Sequence, residues 1–193
     1  MIYPDSNHAH KWLDGLKGLE VGGSAHNGFH LDTLNVDYTK EVTEYKQAEM
    51  ELCGEMMPVD IVAFAWDIPV DDKSYDYVIS SHVIEHIWDV IETLKEWCRI
   101  ARKYIYIIVP QRDALPSDVH KELTSLEEIT QRHQDPNKQH VEMGHVNRWT
   151  SATFMTMCCL NNFHVCDYLD PDDKVGNGFA IVIDVEKSGP WKP

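Results

Sequence analysis

Val90 to Pro110 reads VIETLKEWCRIARKYIYIIVP, and its two halves have different periods. Val90, Ile91, Leu94, Trp97, Cys98 and Ala101 fall at i, i+1, i+4, i+7, i+8 and i+11, with charges opposite. That single apolar stripe predicts an amphipathic helix. Tyr104-Ile105-Tyr106-Ile107-Ile108-Val109 is a continuous β-branched and aromatic run stopped by Pro110. A run without alternation predicts a strand covered on both faces, as in a parallel sheet flanked by helices.

The same grammar extends outward. Toward the N-terminus, Tyr75–Ser80 reads as a strand entered from the Asp71-Asp72 turn, and Val59–Phe64 as another. Residues 41–53 are helix-prone. Leu34–Asp37 and Leu19–Val21 are short strands, the latter ending at Gly22-Gly23, and residues 5–16 form a leading helix. Toward the C-terminus, Thr124-Ser125-Leu126-Glu127 has capping-box spacing and should start a helix. Residues 130–148 are polar and rich in histidine, a loop or lid, and Thr150–Leu160 is a helix. Phe163–Leu169 and Phe179–Glu186 are strands joined by the turn-rich Asp170–Gly178, a connection so short that they must pair antiparallel. The expected fold is α/β: a Rossmann-like, seven-stranded, mostly parallel sheet with an antiparallel C-terminal strand, residues 1–193 forming one domain.

Composition narrows the function. Seventeen basic against 32 acidic residues give a net charge of −15, spread along the chain. Phosphate backbones need Lys and Arg to replace their counterions, so nucleic acid and anionic membrane surfaces are not expected partners. The five cysteines are odd in number and lack a CxxC, which fits neither a disulfide framework nor a thiolate zinc site. The N-terminal MIYPDSNHAHKW lacks the basic start and apolar core of a signal peptide, and a cytoplasmic protein is expected.

Leu19-Glu20-Val21-Gly22-Gly23-Ser24 puts small residues at the end of the first strand, where open α/β sheets bind ligands. Asp37, ending the second strand, can accept both hydroxyls of a ribose. A GxGxxG fingerprint is missing, and Gly23 to Leu34 is too short for a full crossover helix. A ligand with ribose and base but no phosphates fits better than a nicotinamide dinucleotide. Asp67, after the third strand, can accept from an exocyclic amine, with Ile68 offering an apolar face.

With these segments, Tyr75 to His86 (YDYVISSHVIEH) completes a pattern. From about residue 18 to Pro110 the chain resembles class I S-adenosylmethionine-dependent methyltransferases of the type 11 branch. The tail segments PQRDALPSD (110–118) and DDKVGNGFAIVI (172–183) resemble members associated with glycan or cell-surface polysaccharide synthesis. The resemblance implies S-adenosylmethionine as cofactor and methyl transfer to a small or carbohydrate-like acceptor, at oxygen. A non-catalytic methyltransferase-like binding module is the alternative. It further implies that Glu20, Gly22, Gly23 and Ser24 line the methionine and ribose part, Asp37 holds the ribose, Asp67 and Ile68 contact adenine, and Ser81 and His82 face the methionine end. Ser24 stands where the family usually has glycine.

His82-Val83-Ile84-Glu85-His86 also matches the inverted zinc-protease pattern HxxEH. Because it continues a buried strand, Glu85 and His86 are expected to pack against the sheet edge and no metal is expected. His120, His133, His140 and His145 form a second group, mostly bystanders. For a hydroxyl acceptor a base is needed, and His145 is the first candidate, His140 and Asp113 the others; Trp149 is a candidate pocket wall.

Overall fold

The structure is a computed structural model that describes residues 2–23, 26–137 and 144–190. Seven strands form one sheet: β1 (Gly18–Val21), β2 (Thr33–Asp37), β3 (Ile61–Val62), β4 (Tyr75–Ser81), β5 (Ala101–Pro110), β6 (His164–Leu169) and β7 (Gly178–Asp184). Their spatial order is β3-β2-β1-β4-β5-β7-β6. All neighbours run parallel except β7, which is antiparallel to both β5 and β6. The helices are α1 (Asn7–Leu13), α2 (Glu44–Cys53), α3 (Val90–Ile100), α4 (Leu126–Gln134) and α5 (Ser151–Leu160).

The unbroken apolar run of β5 has a direct cause. Ile105, Ile107 and Val109 pack into one core layer with Leu94, Trp97 and Cys98 of α3 and Phe154 of α5. Tyr106 and Ile108 pack into the opposite layer, with Ala9 and Leu13 of α1. Each fully buried side chain of this size contributes roughly 1.5–3 kcal/mol, so both layers are needed to hold the strand. Among the described residues no helix joins β1 to β2, as the short spacing required. Phe29 from that loop fills the space a crossover helix would occupy, its ring 6.4 Å from that of Tyr106.

Three boundaries differ from the sequence reading. β3 keeps only two residues, because it is an edge strand paired solely through Val36–Ile61 and Asp37–Val62. Helix α4 is capped by Ser125, whose Oγ accepts from the N–H of Glu128, and not by Thr124. The Thr124 hydroxyl accepts instead from the backbone N–H of Arg148. The helix then runs to Gln134, into the stretch expected to be loop, since Ile129 and Arg132 supply a buried face.

Candidate active site

A cavity of about 410 Å³ opens where the C-terminal ends of β1, β2, β4 and β5 meet. Strand order reverses between β1 and β4, the place where open α/β sheets take their ligands. The volume lies within the range of small-molecule sites.

At one end stands Asp37, only 6% exposed. Its Oδ1 accepts from the N–H of Thr39 at 3.0 Å and lies 3.4 Å from Nζ of the buried Lys46. Beyond it the wall is aromatic: Phe64 and Trp66 lie stacked, centroids 4.9 Å apart and planes 9° from parallel. Two residues expected at this end lie elsewhere. The Ile68 side chain is in the core and its N–H donates to Glu96 at 3.0 Å. Asp67 is exposed and not among the cavity's lining residues, and its N–H closes a bridge to the carbonyl of Phe64 at 3.1 Å.

Gly22 lines the cavity with φ of +71°, and a Cβ there would lie 2.4 Å from Cγ2 of Val83. A glycine is required on both counts. Gly23 and Glu20 sit behind this wall. A Cβ on Gly23 would meet Sδ of Met57 at 2.7 Å, so its smallness serves packing. Burial pushes the carboxyl of Glu20 up to about 7, against the pull of the nearby Lys174. Ser24 lies outside the described residues.

The middle of the cavity is lined by neutral imidazoles. His82 follows β4 with φ of +56°; its Nε2–H donates to Asn177 Oδ1 at 2.9 Å, and Ser81 Oγ–H donates to its Nδ1 at 3.0 Å. Ser81 thereby orients His82 and is not itself in the wall. Burial lowers the pKa of His82 and takes that of the adjacent His26 down to about 3.

The other end is built from Glu85, His86 and His145. His145 Nδ1–H donates to Asp118 Oδ2 at 2.6 Å, and Lys121 bonds the other oxygen, Oδ1, at 2.9 Å. Burial opposes ionisation of Asp118, but the bonds from Lys121 and His145 prevail and hold it below the usual carboxylate range. Glu85, 1% exposed, is pushed up to about 8 by burial. His86 is lowered by burial, and its Nδ1–H donates to the carbonyl of Gly144 at 2.9 Å. The HxxEH stretch does not form one helical face: His82 is in a left-handed conformation, and only Ile84–His86 make a short 3₁₀ turn.

Of the candidate bases, His145 alone is placed on the cavity. Asp113 is exposed and away from the wall, and His140 lies outside the described residues. His133 is tied to Asp89 at 2.9 Å. Trp149 is buried edge-on against Phe154 in the core and not in the wall. The residues missed by the sequence reading are Phe64, Trp66, Glu85 as a cavity group, and Asp118.

This strand order, with a cavity at the switch point and an acid ending β2, matches the Rossmann-like methyltransferase fold. The model of a family described as a methyltransferase domain matches residues 17–109, just under half of the chain, and supports a S-adenosylmethionine-dependent methyltransferase of the type 11 branch. No curated protein matches the chain in sequence. Solved structures share the fold at low identity. A Pyrococcus horikoshii protein has a TM-score of 0.57 at 17% identity, over 92% of this chain and 85% of that one. A S-adenosylmethionine-dependent methyltransferase from Aquifex aeolicus has a TM-score of 0.52 at 15% identity, over 94% of each. A chain of the complex between the Haloferax volcanii Trm112 activator and a methyltransferase has a TM-score of 0.57 at 16% identity, over 96% of this chain and 89% of that one.

Proposed function

We propose that the protein methylates a hydroxyl of a small or carbohydrate-like acceptor, in the cytoplasm and as a single domain. The observation that carries this reading is the bond between Asp118 and His145, which lines the same cavity as Asp37. A sugar-type hydroxyl holds its proton at neutral pH and needs help to become a nucleophile.

The residues present fit the cofactor. Asp37 would hold the ribose hydroxyls, Phe64 and Trp66 the adenine, and Gly22 lets the backbone approach the methionine part. S-adenosylmethionine, when bound, supplies an electrophilic methyl: the acceptor oxygen bonds to that carbon as its bond to sulfur breaks, the electron pair staying on sulfur. The protein positions, excludes water and activates the hydroxyl. Because Nδ1 of His145 is committed to Asp118, activation depends on its Nε2. The net charge of −15 supports an acceptor other than nucleic acid or an anionic membrane surface, and the unpaired cysteines support a reducing compartment. No helix among the described residues is long and apolar enough to cross a membrane.

The test is turnover with a panel of hydroxyl and amine acceptors. His145→Ala should lower hydroxyl methylation by about 10²–10⁴-fold while binding of S-adenosylhomocysteine barely changes. Undiminished turnover in that variant, or methylation of amines alone, overturns the reading.

A further inference from the structure

We propose that Glu85, His86 and His145 bind a divalent transition-metal ion, of the zinc or ferrous class, at the acceptor end of the cavity. Each offers one ligand atom, and the three atoms lie within 4.8 Å of one another. Nε2 of His86 is 3.6 Å from Oε1 of Glu85, and Nε2 of His145 is 3.8 Å from the same oxygen.

The hydrogen bonds around the site fix what those atoms are. The carbonyl of Gly144 can only accept, so Nδ1 of His86 carries the hydrogen and its Nε2, in the neutral ring, carries a lone pair. Nδ1 of His145 is likewise taken up by Asp118, at 2.6 Å, which leaves its Nε2 free of that bond. The Nε2 atoms of two imidazoles thus converge on the carboxyl group of Glu85. Both oxygens of Glu85 are buried, and among the described residues no group other than the residue's own backbone N–H is in a position to bond them. A positive charge placed between them would serve both imidazoles and the carboxyl group at once.

A proton on Glu85 does not meet the need. It could serve only one imidazole at a time, and 3.6 and 3.8 Å are beyond hydrogen-bond reach. A cation fits the spacing. Two ligands about 2.1 Å from an ion at a tetrahedral angle stand about 3.4 Å apart, close to both distances. The outer contacts are those of ligating histidines, whose second N–H is held by a carbonyl or a carboxylate. Two imidazoles and one carboxylate favour zinc or ferrous iron over magnesium, and three protein ligands leave open positions toward the cavity.

The assignment rests on the proposed function for its consequence: the ion would lower the pKa of a hydroxyl bound at an open position, whose proton then passes to water. His145 would act on the acceptor through the ion. Binding itself can be read without an acceptor. Chelator-treated protein is titrated with Co²⁺, then Zn²⁺. Visible ligand-field bands should saturate at one equivalent of Co²⁺ and vanish on Zn²⁺ addition. His86→Ala, His145→Ala and Glu85→Gln, each checked for folding by circular dichroism, should weaken binding by at least about 10²-fold, and Asp118→Asn by about 10–100-fold. Calorimetry with S-adenosylhomocysteine on the same samples keeps the two readings apart, since the cofactor should bind with and without metal. No saturable site in the wild-type protein, or undiminished affinity in the folded variants, overturns the assignment.

Discussion

A Cβ placed on Gly22 would lie 2.4 Å from Cγ2 of Val83, so the end of β1 and the segment after β4 meet with no room for a side chain. The same glycine has a positive φ, which adds backbone strain to any substitution. Gly22→Ala should therefore lower stability by about 1–3 kcal/mol, the usual penalty of overpacking. It should also weaken cofactor binding, because Val83 and Gly22 share one wall of the cavity. Urea unfolding and calorimetry on one preparation check both; a variant as stable and as tightly binding as wild type would show that the contact yields freely.

Asp37→Ala should weaken S-adenosylmethionine binding by about 1.5–3 kcal/mol, the worth of hydrogen bonds to a charged group. The buried Lys46 would lose its neighbour 3.4 Å away, so stability should fall as well. Asp37→Asn separates the two effects: it retains the carbonyl oxygen near Lys46 and Thr39 but removes the charge. Unchanged calorimetric affinity in a folded Asp37→Ala protein removes Asp37 from the cofactor site.

Much of this architecture was legible because period and burial coincide. The β5 run is apolar throughout since alternate residues enter two different core layers, and the short gap after Gly23 excluded a helix where Phe29 now packs. Asp37 was readable as an acid at a strand end. The expectation for Asp67 and Ile68 took no account of β3 stopping at Val62. The chain then turns through the Phe64–Asp67 bridge, which presents Phe64 and Trp66 to the cavity instead. The Glu85–His86–His145 group had only a partial local signal, in HxxEH. HVIEH suggests that His82 and His86 act together, yet a left-handed His82 separates them, and the third member comes from far along the chain.

The N-terminal helix carries a pH-dependent anchor. Oδ2 of Asp167, on β6, takes Lys11 Nζ at 2.9 Å, Trp12 Nε1 at 3.0 Å and His8 Nε2 at 3.2 Å. The bond from Lys11 is the largest cause of a strongly lowered Asp167 pKa. An unfolded aspartate titrates near 3.9. With the folded value depressed, the stabilisation is fully present above that pH and is lost as pH falls below it toward the folded value. Asp167→Asn should lower stability at pH 7 by about 1–2 kcal/mol, discounted for partial exposure. The gap between variant and wild type in urea unfolding should shrink steadily below about pH 4. A gap that stays constant down to pH 2.5 would mean that the carboxylate's charge is not what holds α1 to the sheet.

The stacked pair at the nucleoside end gives the last prediction. Phe64 and Trp66 are parallel within 9°, and both face the cavity next to Asp37. An aromatic platform is worth about 1–3 kcal/mol per stacked base. Trp66→Ala should therefore weaken S-adenosylhomocysteine binding by roughly 10–100-fold, the equivalent of about 1.4–2.8 kcal/mol. Trp66→Phe should recover most of the loss, since it keeps a π-face at the same place. Asp67→Asn provides the contrast, because Asp67 is not among the lining residues and its bridge to Phe64 runs through the backbone. Adenosine should report the same ranking as S-adenosylhomocysteine, since only the nucleoside touches this wall. If Asp67→Asn weakens adenosine binding and Trp66→Ala does not, adenine is recognised by the acid and the aromatic pair only closes the cavity.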